Sequence, residues 1–160
     1  MTLLLKNLLF TVAVPGTVAI WLPWYFARGA PPPDRSALLM ALPLFAAGAL
    51  IYTWTTVNFA VIGRGTPAPI DAPRVLVVQG PHRYVRNPMY LGVLTVVLGW
   101  VVAFRSLSLV LYLAAVAAAF HAAVLLVEEP ALKRQFGASY AAYAAAVRRW
   151  LPGRAWVPRD

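Results

Sequence analysis

The chain contains no cysteine. Disulfides and thiolate metal sites are therefore excluded, and cysteine usage gives no sign of a redox compartment. Acidic residues are scarce as well, five Asp and Glu against 14 Lys and Arg. There are only two histidines, His82 and His121, and their spacing is not that of metal ligands, so no metal is expected. Charged residues of both signs make up 12% of the chain, where soluble domains carry roughly 25%. Hydrophobic residues fill the deficit, at 61% of the 160 positions, and the mean hydropathy is +0.70. These values exclude an ordinary soluble domain and put the chain among membrane proteins. The net charge of +9 comes with no nucleic-acid-binding module, so it reads as membrane topology and no nucleic acid is expected as a partner.

What is present in abundance is long apolar runs. A spanning helix needs about 20 mostly apolar residues. Four runs qualify or nearly so: about 8–26, 36–62, 88–104 and 106–127. The first carries Pro15, Gly16 and Pro23, which predicts a kink. It is long for a signal-peptide core, and further spans follow it. The third is short. The predicted fold is a single all-α integral membrane domain of about four transmembrane helices plus a C-terminal interfacial helix.

The basic residues fall unevenly between these runs. Eleven of the 14 lie before the first, between the second and third, or after the fourth: Lys6, Arg64, Arg74, Arg83, Arg86, Lys133, Arg134, Arg148, Arg149, Arg154 and Arg159. Only Arg28, Arg35 and Arg105 lie on the other side. Cytoplasmic loops collect Lys and Arg. Both termini and the segment up to Asn87 are therefore expected to face the cytoplasm.

That segment is unusual. From Gly63 to Asn87 it holds four prolines and three glycines, which argues against helix. Val75 to Val78 reads as extended. It ends in GPHRYVRNPMYLG, residues 80–92, a polar and stiff stretch in an oily chain. Asn87-Pro88 predicts a helix start, with Asn at the cap and Pro in the first turn. Gly92 would admit a close backbone or ligand. After the fourth run comes EEPALKRQFGASYAAYAAAVRRW. Leu132, Phe136, Tyr140, Tyr143 and Val147 form one helical stripe, as an interfacial helix requires. It would serve as an anchor or as a cover over a pocket.

Glu128 and Glu129 are the main chemical signal. Adjacent carboxylates repel each other, burial adds a desolvation cost, and a helix C-terminus is the wrong end for anions. Such a pair suits a cationic or multi-hydroxyl partner, or else a bridge to Arg83 or Arg86. His121, two turns earlier on the same face, reads first as a hydrogen-bonded packing residue. Tyr84, Tyr90, Phe136, Tyr140 and Tyr143 supply aromatic faces that would suit a compact cation beside carboxylates.

GPHRYVRNPMYLG followed by EEPALKRQFGASYAAY resembles the integral-membrane methyltransferases of the isoprenylcysteine carboxyl methyltransferase and phospholipid methyltransferase superfamily. The motif likeness covers about residues 74–151. The first two runs resemble those proteins only in hydrophobicity. The resemblance implies S-adenosylmethionine as cofactor, a lipophilic small-molecule or lipid substrate, and a cofactor pocket facing the cytoplasm. Carried onto this chain, it implies cofactor contacts from Arg74, Val75, Leu76 and Val77, from His82, from Asn87, Pro88, Met89 and Tyr90, and from Glu128. Arg86 or Arg83 would hold the cofactor carboxylate, and Glu128 or Glu129 its ammonium or ribose diol. No catalytic nucleophile or base is required, because methyl transfer is an in-line displacement.

Three positions depart from the pattern. Asn87 stands where many members have His, and His82 stands where Tyr is usual. Val124 stands where the prenylcysteine enzymes have an Arg for the substrate carboxylate. The sterol reductases resemble the same C-terminal half, so a membrane reductase using a nicotinamide cofactor is the alternative enzyme. A non-catalytic small membrane protein is the alternative of another class. The methyl acceptor and the oligomeric state are not legible in the sequence.

Overall fold

The computed structural model describes residues 9–63 and 75–157. Arg74, one of the expected cofactor contacts, lies outside the described residues, as do Lys6, Arg64 and Arg159. Among the described residues there are helices and no strand. Helix α1 spans Leu9–Ala27, α2 spans Arg35–Val61, α3 spans Pro88–Phe104 and α4 spans Leu107–Ala123. Helix α5 spans Glu129–Ala146 and continues from α4 through a widened turn, Val124–Glu128. A short 3-10 turn, Gly80–Arg83, precedes α3.

Among the described residues, three continuous helices are long and apolar enough to cross a membrane: α1, α2 and the run Leu107–Ala146. Helix α3 is apolar but has only 17 residues. At 1.5 Å per residue it is about 26 Å long, slightly less than a typical hydrocarbon core of about 30 Å. The chain is thus a membrane protein whose first three helices follow the expected runs within one or two residues, while the fourth starts as expected and runs on past residue 127.

Two local details go beyond expectation. In α1 the stretch with Pro15 and Gly16 is wound wider: the Leu22 N–H donates to the Thr17 carbonyl, five residues back. The interfacial helix, in turn, is not detached from the fourth span. Pro130 has no N–H to give and would weaken a regular turn. The widened turn before it, where the Glu129 N–H donates to the Val124 carbonyl, carries the helix through. The break comes later, at Gly137, whose φ of 51° and ψ of −125° leave the helical region.

Helices α2 and α3 pack backbone against backbone. A Cβ on Gly92 would lie 2.9 Å from the Gly48 carbonyl oxygen and 3.0 Å from the Tyr52 nitrogen. A Cβ on Gly48 would lie 2.6 Å from the Gly92 oxygen. Small residues at a helix interface permit this approach where lipid supplies no hydrophobic drive. The neighbour that Gly92 admits is therefore a second helix. Side chains close the rest: Trp100 Nε1 donates to the Ala19 carbonyl at 3.0 Å, and Tyr112 Oη to the Val18 carbonyl at 2.8 Å.

This packing sorts the helix ends. At one end Arg105 pairs with Asp34 at 3.4 Å, and Asp34 accepts from the Ala37 N–H as the cap of α2. At the other end the C-terminus of α2, the 3-10 turn, the start of α3 and the junction of α4 with α5 come together. Both sequence motifs lie at this second end.

Candidate functional site

Two contacts join the α3 entrance to the α4 exit. Tyr90 Oη donates a hydrogen bond to Glu128 Oε1. Arg86 lies 3.3 Å from Glu129 Oε1. Glu129 is buried at 7% exposure, and its main partner is Arg149, whose Nε and second terminal nitrogen grip the two carboxylate oxygens at 2.6 and 3.2 Å. A two-pronged guanidinium clamp of this kind is strong and directional. Burial alone would raise the Glu129 carboxyl. The hydrogen bond from Arg149 and the charge of Arg86 outweigh it and hold the group below the ordinary carboxylate range.

The adjacent glutamates therefore have different surroundings. Glu129 is committed to two arginines. Glu128 has one hydrogen bond, from Tyr90, and an ionised carboxylate has about four lone-pair sites. Aromatic rings surround that contact: Phe120 lies 4.4 Å and Trp150 6.5 Å from the Tyr90 ring. A half-buried carboxylate beside aromatic faces can hold a compact cation or accept from a diol.

Arg149 and Trp150 belong to a tail that runs back over the 83–87 segment. The Arg86 N–H donates to the Arg148 carbonyl, the Gly153 N–H to the Tyr84 carbonyl and the Trp156 N–H to the Arg83 carbonyl, each at 2.9 Å. Arg83 Nε returns a bond to the Trp156 carbonyl at 3.0 Å. Asn87 Nδ2 donates to the Arg149 carbonyl at 3.1 Å. Asn87 does sit at the helix cap position, yet its side chain makes no capping bond. Its side chain is turned to the tail through the Nδ2 donor, which corrects the simple capping expectation. Trp150 Nε1 also donates to His121 Nδ1 at 3.0 Å, so His121 has the packing partner expected of it.

The remaining expected residues are spread around this centre. Pro88 is buried and Met89 half-buried in the first turn of α3. Val75 is exposed, whereas Val77 is buried. Leu76 and Val78 pack on the stripe Tyr140, Tyr143 and Val147, with Leu132 and Phe136 alongside. All five stripe residues thus share one cluster despite the break at Gly137. Leu76, Val78, Ser139, Ala142 and Trp156 also line a cleft of about 730 Å³. Glu128, Tyr90 and Asn87 do not line it. Tyr140 links the two regions, accepting from Arg86 at 3.4 Å.

His82 is buried, with its ring edge-on to Phe59 at 5.3 Å. Burial lowers its pKa to about 4, so the ring is neutral near pH 7. Tyr143 Oη donates to the His82 carbonyl at 2.7 Å, pinning the turn to α5. Tyr143→Phe removes that donor and leaves the buried carbonyl unpaired. A loss of about 1–2 kcal/mol is expected in detergent melts. A melt unchanged from wild type would mean that the turn is held by other contacts.

Arg149, Trp150 and Trp156 form part of this end of the molecule and were not foreseen as such. Their only sequence signal is an Arg- and Trp-bearing stretch beyond the last helical stripe. The electrostatics leave buried donors at the same end. Arg86 Nε and Asn58 Nδ2 have no hydrogen-bond partner among the described residues, and neither does His82 Nδ1. No group of three or more His, Asp or Glu that could hold a metal occurs among the described residues. Spare donors, a carboxylate with open lone pairs and aromatic walls fit a zwitterionic, cation-bearing ligand such as S-adenosylmethionine.

A family model for phospholipid methyltransferases matches residues 36–139. It takes in nearly all of α2, the whole first motif and the second motif as far as Ser139, so it reaches further toward the N-terminus than the motif likeness from residue 74. No curated protein and no solved structure matches the chain.

Proposed function

The chain belongs to the phospholipid methyltransferase family, and from that premise we propose that it transfers a methyl group from S-adenosylmethionine to a lipophilic acceptor reached from the bilayer. Membership makes it a methyltransferase acting on lipid-type substrates. The cofactor, the site residues and the sidedness are the parts proposed. The observation that carries them is the contact between Tyr90 and Glu128 at one membrane end, beside the arginine clamp on Glu129.

The division of labour follows from that geometry. Glu128 holds the ammonium or ribose diol of the donor, and Tyr90 fixes the orientation of its carboxylate. Arg86, Glu129 and Arg149 position the α3 entrance. Arg86 keeps one buried N–H in reserve for the donor carboxylate. Leu125, Leu126 and Val127, exposed on the widened turn just before Glu128, give the acceptor an apolar approach from lipid. When bound, S-adenosylmethionine supplies an electrophilic methyl on sulfur. The protein contributes alignment and exclusion of water, each capable of large rate effects. The excess of Lys and Arg at this end orients it to the cytoplasm, where such a donor is made.

The test is binding and turnover in detergent. Glu128→Gln is expected to weaken S-adenosylmethionine binding by 10-fold or more, about 1.4 kcal/mol. Labelled S-adenosylmethionine with total membrane lipid should yield a labelled lipid product. A thermal shift with reduced nicotinamide cofactor and none with S-adenosylmethionine would overturn the proposal in favour of a reductase.

A further inference from the structure

The Gly80–Arg83 turn sits on the last turns of α2. Gly80 has a φ of 56°, and a Cβ there would overlap Asn58 Nδ2 and lie 3.0 Å from Trp54 Nε1. Asn58 follows Trp54 by four residues, so the two share one face of α2. Phe59, the next residue, meets the ring of His82. Asn58 and His82 therefore flank the same junction. Each carries a buried nitrogen with no hydrogen-bond partner among the described residues, Asn58 Nδ2 and His82 Nδ1.

Such atoms are rare in folded proteins, because a buried polar atom left unpaired has given up its hydration with nothing in return. Two at one junction point to a ligand that completes them. The amide nitrogen can only donate, so it needs an acceptor. The neutral imidazole nitrogen can donate or accept according to tautomer. A group that offers one ring acceptor next to one N–H donor satisfies both. The Watson–Crick edge of adenine is such a group, and the exposed indole of Trp54 supplies a flat neighbour for a purine.

We propose that Asn58 reads the adenine of the methyl donor, donating from Nδ2 to a ring nitrogen while His82 Nδ1 takes the exocyclic amine. This deepens the donor assignment of the preceding subsection and rests on it. It adds a recognition residue on α2, outside both sequence motifs.

The experiment uses full-length protein in detergent with two probes, S-adenosylhomocysteine and its hypoxanthine counterpart S-inosylhomocysteine. Hypoxanthine carries a hydrogen where adenine has a ring acceptor. Wild type is expected to prefer the adenine probe by 10-fold or more. Asn58→Leu is expected to lose most of that preference and to bind S-adenosylhomocysteine about 10-fold more weakly. The ligand-free Asn58→Leu protein should melt no lower than wild type, because an unpaired buried amide has been replaced by an apolar group of similar size. A purely structural Asn58 would give a lower melt with unchanged preference, and that result overturns the proposal. Unchanged affinity of Asn58→Leu for both probes overturns it as well. Failure of wild type to bind either probe would instead remove the donor assignment beneath it.

Discussion

Glu129→Gln should cost the solubilised protein about 3 kcal/mol, on the order of 10 °C in a thermal melt. The side chain is the shared anion of Arg149 and Arg86. Removing its charge leaves two guanidiniums facing each other, one of them only 11% exposed. Breaking a buried pair on one side is expensive because the partner charge stays buried. The damage should travel through Arg149, whose carbonyl receives Asn87, and cofactor affinity should fall along with stability. Acid should mimic the substitution. Because the folded-state carboxyl is held below its ordinary value, its contribution is full above about pH 4.3 and fades as pH falls through the lower folded value. Wild type should therefore lose stability on acidification more steeply than Glu129→Gln does. Parallel pH–melt curves for the two proteins would show that the clamp does not stabilise the fold.

The second large effect is expected from Gly92→Leu. Here the neighbours are backbone atoms of α2, the Gly48 oxygen and the Tyr52 nitrogen, and neither can rotate away. Helices α2 and α3 must move apart, with a loss of at least about 3 kcal/mol by overpacking and lost contact. Gly92 lies two residues after Tyr90, so the same displacement should pull Tyr90 from Glu128 and abolish methyl transfer. Gly137→Ala is the instructive contrast. Nothing lies within 4 Å of a Cβ there, and its cost is conformational alone, since φ is positive. That variant should retain the helix packing and lose about 1–3 kcal/mol, since φ 51° with ψ −125° is a region L-residues rarely adopt. Tryptophan fluorescence melts in detergent distinguish the two, and a Gly92→Leu melt equal to wild type would refute the close-contact argument.

The spanning helices were legible because they depend on composition over some 20 residues, which the bilayer reads almost without context. The stripe from Leu132 to Val147 was legible for the same kind of reason, a regular helical period. The likeness of the 80–92 and 128–143 segments to known methyltransferases located the two motifs. Their meeting at one end follows from the number of spans between them.

The tail was not legible. Arg149 meets Glu129 from 20 residues away and Asn87 from 62, and no periodicity marks either contact. In the sequence Arg148 and Arg149 counted only as topogenic charge. The roles of the glutamates also divided in a way that their adjacency hid: a position one residue later turns toward the arginines, while its neighbour meets Tyr90. Likewise Asn87 has the residue type of a cap and occupies the cap position, yet a tertiary acceptor wins its amide.

The tail that straps the 83–87 segment has a consequence for biogenesis. Its residues leave the ribosome after helices α1 to α4. The clamp on Glu129 therefore cannot close until Arg149 has been made. A chain not yet extended to Arg149 presents both glutamates without the clamp and the 83–87 segment without its strap.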